Sequence, residues 1–273
     1  MPRHVVWIRA ALLLAVFLAG PRALAWGPVA HQAVLTKAID TLPNPLKAFY
    51  KNHRLELPSL APDAEGPPPE EGPERRFAVD RLLPFPFLDL PRSETETKAR
   101  FGEEASRAGR LPWLIHEGYA RLLEAFKAGD KARILVESDA LAALAADLKN
   151  PLALTDNADG QKTGQHGLFV RFSARLPEAM DRRLKLSPEA ARYLDDPKEY
   201  SFGMIAATYI WLDNLLYQEA LAKRGKSGYT EIYYESFELR CGEILRDRLS
   251  EAAADAGSYW YTAWVAAGKP ELK

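Results

Sequence analysis

Apolar residues recur along this chain at the three- and four-residue intervals of helices facing a core, and no run alternates with the period of two that a half-buried strand requires. The first stripe follows Trp26-Gly27-Pro28 and contains His31, Val34, Leu35, Ala38 and Ile39. Pro28 suits a first helical turn, where its missing N–H would have had no partner. Asn44-Pro45 reads as a cap-and-start pair opening a helix towards His53. Ile115, Tyr119, Leu122, Leu123 and Phe126 form a stripe ended by Gly129, and a second runs over Lys131–Leu148 until Pro151 stops it. Residues 168–183 are predicted helical, and Ser187-Pro188-Glu189 opens a further short helix. Three helices are expected in the C-terminal third. Ile205, Tyr209, Leu212 and Leu216 mark one, Tyr234, Phe237, Cys241 and Leu245 the next, and Trp260, Trp264 and Ala267 the last.

Two stretches break the pattern. Residues 58–76 are rich in Pro, Gly and Glu, and proline's missing donor and fixed ring exclude regular helix there. Phe85-Pro86-Phe87 continues as an irregular, docked segment up to Pro91. The prediction is an all-α, single multi-helix domain of roughly eight to ten helices, each around three turns.

The first 25 residues stand apart. Arg3 and Arg9 supply positive charge, residues 10–19 are an apolar run, and Ala23-Leu24-Ala25 is a small-residue cleavage site. Together they read as a signal peptide over 1–25, which makes the protein exported, periplasmic or secreted, with Trp26 as its new N-terminus. The apolar run is too short to span a bilayer, which takes about 20 residues, and no further transmembrane segment is evident. Residues 26–273 are expected to form the helical domain. The whole chain has a formal charge of −1, and taking away Arg3, Arg9 and Arg22 leaves −4 for that domain. A mildly acidic surface carries no general nucleic-acid-binding basic patch. Cys241 is the single cysteine, so no intrachain disulfide can form.

Candidate chemistry lies in a few short motifs. Trp26-Gly27 with His31 five residues after the tryptophan is one, and Leu60-Ala61-Pro62-Asp63 is another. Phe77-Ala78-Val79-Asp80, with Leu90-Pro91-Arg92 nearby, is a third. The fourth spans 143–173 and runs Ala143-x3-Asp147-x5-Ala153, then Asn157-Ala158-Asp159-Gly160, then Phe169-x3-Ser173. Together these resemble the zinc-dependent phospholipase C and single-strand-specific nuclease superfamily, over nearly the whole of 26–273.

The resemblance implies an all-helical fold with a three-zinc centre that hydrolyses phosphoric esters. There the N-terminal tryptophan binds metal through its free amine and carbonyl. Carried over residue by residue, it makes Trp26, His31, Asp63 and Asp147 metal-binding positions, with Asp63 catalytic if the protein is active. It fails at Phe77, Ala143, Ala153, Phe169 and Ser173, where the superfamily has His, His, His, His and Glu. Trp26, His31 and Asp147 would together hold one zinc, while the other two sites lose most of their donors. Two-metal hydrolysis needs both ions to clamp the attacking and leaving oxygens. The expectation is therefore a non-catalytic or weakened relative with at most one zinc, whose ligand is a phosphate-containing small molecule or a lipid headgroup. The alternative is an active phosphodiesterase or phospholipase C with a remodelled centre that uses Asp63, Asp147 and His166, the last brought in by a shift of its loop. A calcium loop at Asn157–Gly160 is rejected because Thr155 and His166 stand where carboxylates are needed. The plainer reading of Ala143 and Ala153 is helix packing, and of Tyr233, Tyr234, Tyr259, Trp260 and Tyr261 core packing.

Overall fold

The computed structural model describes residues 26–60 and 73–272, and no strand occurs among them. Two helices, α1 (Pro28–Thr41) and α2 (Leu46–Asn52), precede the proline-rich segment, which begins and ends in single 3-10 turns at Pro58–Leu60 and Pro73–Arg75. Beyond it come α3 (Glu94–Phe101), α4 (Glu103–Ala108), α5 (Leu111–Ala128) and α6 (Lys131–Leu148). The Gly129 turn between α5 and α6 works as the sequence suggests. Gly129 takes a left-handed φ of 65° and its N–H closes on the last carbonyls of α5. Asp130 then accepts from the Arg133 N–H to start α6.

Residues 168–183 are helical but not uniformly so. α7 (Leu168–Val170) passes into a π-helical stretch (Arg171–Arg175), then α8 (Leu176–Met180) and a 3-10 turn at Asp181–Arg183. The C-terminal third differs from the three helices expected. The first stripe is broken at Ile210 and Trp211 into α9 (Pro197–Tyr209) and α10 (Leu212–Lys223), and the other two are one helix, α11 (Glu231–Ala266). At 36 residues, α11 is about 54 Å long and touches α1, α5, α6, α8 and α10. Its two ends serve different cores. Tyr259, Trp260 and Ala263 pack with α2, α5 and α6, while Tyr233, Phe237, Cys241 and Leu245 pack around Trp26, Val34 and Phe172.

No helix opens at Ser187-Pro188-Glu189. Instead the chain runs irregularly across α11, where side-chain hydroxyls satisfy its N–H groups and remove the need for helical partners. Ser187 donates to Ser250 Oγ at 3.0 Å, Arg192 to Ser258 Oγ at 3.1 Å and Leu194 to Thr262 Oγ1 at 2.9 Å. Gly257 lets this strap and α1 approach α11. A Cβ there would lie 2.0 Å from Thr41 Oγ1 and 3.2 Å from the Ala38 carbonyl oxygen. Gly203, exposed on α9, has nothing within 4 Å of such a Cβ.

Two alanine substitutions should therefore move stability in opposite directions. Gly257→Ala is expected to cost about 1–3 kcal/mol through overpacking, whereas Gly203→Ala should gain up to about 1 kcal/mol. Urea titration of both variants checks the contrast.

Candidate functional site

The residues around Asp147 come from four places in the chain. Asp147 ends α6 and is fully buried. His31 stands in the first turns of α1, also buried, and the packing of α1 on α6 brings its Nε2 to 3.7 Å from Asp147 Oδ1. Trp26 is held from two sides. Its indole N–H donates to the Ala146 carbonyl at 2.7 Å and its ring packs against Phe172 at 5.5 Å. The neighbouring Gly27 N–H donates to the Ser173 carbonyl at 2.9 Å, and a Cβ on Gly27 would lie 2.8 Å from Ala174 Cβ. A side chain here would push Trp26 out of register.

The fourth contributor is Arg75, which no motif indicated. Its Nε donates to Asp147 Oδ2 at 2.8 Å and its Nη2 lies 2.5 Å from the same oxygen. Only 3 % of Arg75 is exposed. The backbone on either side is pinned: Arg110 N–H donates to the Glu74 carbonyl at 2.8 Å, and Phe77 N–H to the Ala153 carbonyl at 2.8 Å. The guanidinium grips one carboxylate oxygen. Asp147 Oδ1 and His31 Nε2 face each other with no hydrogen-bond partner among the described residues.

Charge states follow from burial. Burial pushes the Asp147 carboxyl up to about 6, against the pull of Arg75. Burial, then the Arg75 charge, hold His31 down to about 3, with the Trp26 backbone opposing. At pH 7 the site is thus a neutral imidazole beside a compensated Arg75–Asp147 ion pair.

This arrangement bears on a divalent ion. Zinc takes nitrogen and oxygen donors at about 2 Å, so two atoms 3.7 Å apart are within reach of one shared ion. The Arg75 charge, however, already neutralises the carboxylate at this buried position. As arranged, these residues do not fit zinc.

The other motif positions are packed shut. Phe77 is fully buried with its ring edge-on to Trp113 at 5.3 Å. Ala143 lies in the interior of α6, and Ala153 in the 3-10 turn Pro151–Leu154 rather than on a helix. Ser173 is buried and its hydroxyl accepts from Asn150 Nδ2 at 2.9 Å. Phe169 packs partly buried against the second core. His166 is exposed on its loop and contributes its carbonyl, not its ring, to Arg171 Nη1 at 2.6 Å. His53 pairs with Glu56 at 2.7 Å and His116 is exposed. Asp159 caps α7, accepting from Gly167 N–H at 2.8 Å and Phe169 N–H at 3.3 Å. Asp80 anchors the same loop through the Thr155 hydroxyl at 2.6 Å and the Asp156 N–H at 2.8 Å. Asp63 and the proposed signal peptide at 1–25 lie outside the described residues.

A wide cleft of about 790 Å³ opens elsewhere, between α11, α9 and the strap. On its floor Lys149 binds Asp255 at 2.9 Å and Glu251 at 3.3 Å, and Arg248 binds Glu251 at 2.5 Å over the Trp211 ring. Those charges balance one another.

Comparison with known proteins adds no assignment: no protein-family model and no curated protein matches the chain. Sequence reasoning missed Arg75 because it lies 72 residues from Asp147, at the edge of a proline-rich stretch without period. No local signal could have found it: α6 also carries Glu137 and the buried Asp139, and Asp139 is satisfied by Ser59 rather than by a cation.

Removing one partner of the pair should be costly. Asp147→Asn is expected to lose about 3–5 kcal/mol, and Arg75→Met with Asp147→Leu together less than the sum of the single changes. Strictly additive losses in a double-mutant cycle would count against the coupling. The pH dependence has a defined sign. The folded His31 refuses a proton that the unfolded chain accepts between pH 6.5 and about 3, so its contribution is intact above 6.5 and lost as pH falls through that window. Asp147 works oppositely, contributing fully below 3.8 and losing this as pH rises through about 6. Urea titrations from pH 7 down to 4.5 should show His31→Gln losing less stability than wild type over that range. Parallel curves would refute the assignment.

Proposed function

We propose that this chain is an exported, non-catalytic relative of the zinc-dependent phospholipase C and nuclease superfamily, retaining the helical frame after its metal centre has closed. The supporting observation is the packing at Phe77 and Ala153. The resemblance gives both positions to histidine ligands, and they lie backbone to backbone, the Phe77 N–H on the Ala153 carbonyl, with both side chains fully buried and apolar. Hydrolysis by this chemistry needs a metal to lower the pKa of a bound water and to stabilise the oxyanion. A phenyl ring and a methyl group supply neither, and their full burial leaves no opening for a phosphoric ester at these positions.

On this reading the frame binds or scaffolds rather than turns over. The cleft along α11 supports a polar ligand, with Lys185, Arg192 and Arg246 among the residues lining it. These cations suit a phosphate-containing small molecule or a lipid headgroup, while Glu189, Glu243 and Asp247 on the same lining keep the surface from being generally basic.

The test pairs metal content with activity on protein beginning at Trp26. Elemental analysis is expected to find well under one zinc per chain. Phosphorylcholine esters and single-stranded nucleic acid should be hydrolysed no faster by wild type with added zinc than by the Asp147→Ala variant. Two or three tightly held ions, or zinc-dependent turnover that Asp147→Ala abolishes, would overturn the proposal.

A further inference from the structure

We infer that Arg75 is a resident cation that takes the electrostatic place of a divalent ion and keeps such ions out of the pocket formed by His31, Asp147 and the Trp26 backbone. The inference rests on the reading of the chain as a relative whose metal centre has closed. It adds a residue that the resemblance does not supply.

Three observations carry it. Among the described residues, the Arg75 guanidinium meets Asp147 at one oxygen: Nε donates to Oδ2 at 2.8 Å, and Nη2 lies 2.5 Å from the same atom without completing a hydrogen bond. A fork that pairs with a carboxylate for its own sake normally engages both oxygens in parallel. Here the second oxygen is left turned towards His31. Next, Asp147 Oδ1 and His31 Nε2 are buried 3.7 Å apart, and neither has a hydrogen-bond partner among the described residues. Two orphaned acceptors facing each other are costly to bury, and a cation between them is the simplest group that would satisfy both. Finally, Arg75 arrives on a rigid support. The segment carrying it is tied to the start of α5 by Arg110 N–H on the Glu74 carbonyl and Leu111 N–H on the Arg76 carbonyl. It is tied to the turn after α6 by the Phe77–Ala153 bond. The charge is therefore held at Asp147 by the fold, not by a mobile side chain that could swing aside for zinc.

The chemistry follows from charge alone. With Arg75 present, an entering divalent ion meets a full positive charge in a low-dielectric site and must displace it from the Asp147 carboxylate. Without Arg75, Asp147 is a buried carboxylate lacking compensation, beside a neutral imidazole with a free nitrogen. Those are the conditions under which a divalent ion binds.

The experiment compares wild type with Arg75→Ala and Arg75→Lys, each beginning at Trp26, after dialysis against zinc and then against metal-free buffer. Readouts are zinc per chain, helix content by circular dichroism, and melting temperature with zinc or with chelator. Wild type and Arg75→Lys should hold well under one zinc and melt at the same temperature in both conditions. Arg75→Ala should take up about one zinc and melt roughly 5–10 °C higher in saturating zinc than in chelator. Adding Asp147→Asn to Arg75→Ala should abolish both effects. If Arg75→Ala folds, takes up no zinc and melts unchanged, the inference fails while the non-catalytic reading stands. Arg75→Ala unfolded with and without zinc also counts against it, since Arg75 would then be a strut that no ion replaces. One zinc in wild type overturns the exclusion. Two or three with turnover overturn the proposed function itself.

Discussion

A carboxylate at the dry end of α6 has to be compensated, and much of the molecule around it follows from how this is done. Asp147 cannot reach solvent, so the choices open to it are protonation, a metal or a cationic side chain. Arg75 provides the third, delivered by a segment pinned to α5 and to the turn after α6. The pair also explains the state of its neighbour. An imidazole buried beside a guanidinium has two reasons to stay neutral, so His31 faces Asp147 as a second acceptor rather than as an ion-pair partner.

Helix α11 is the other constraint that reaches across the fold. One continuous helix belongs to both cores, so the site around Trp26 and the aromatic core around Trp260 cannot move independently. Its hydroxyl side chains also hold an irregular strap, and at Leu194 they satisfy an N–H that would otherwise be buried without a partner. Trp26 illustrates the consequence for the site. Its indole is fastened to the Ala146 carbonyl one residue before Asp147, so the start of the described chain and the end of α6 form one rigid corner.

Buried aromatic and alanine positions complete the contrast with a metal centre. Phe77, Ala143 and Ala153 do what such residues do in any helical core, excluding water and filling volume. The polar loop at 155–167 keeps its shape by serving itself: Asp159 caps the helix that follows, and Asp80 and Asn157 bind the loop's own backbone. Its carboxylates are engaged in local structure.

Periodicity alone was enough to define the helical class, the span of α6 and the glycine that ends α5, because helix stripes and a left-handed glycine are local physics. The resemblance, not the period, drew attention to Trp26, His31 and Asp147, three residues that the packing of α1 on α6 does bring together. Local pattern misjudged the strap at 184–195 and the unity of α11. In the first case hydroxyls from a distant helix replace the helical partners, and in the second burial along two cores keeps a glycine-containing stretch helical. Arg75 belongs wholly to the tertiary level. An arginine at the edge of a proline-rich stretch has no periodic signature, and only the folded chain decides that the charge compensating Asp147 comes from there.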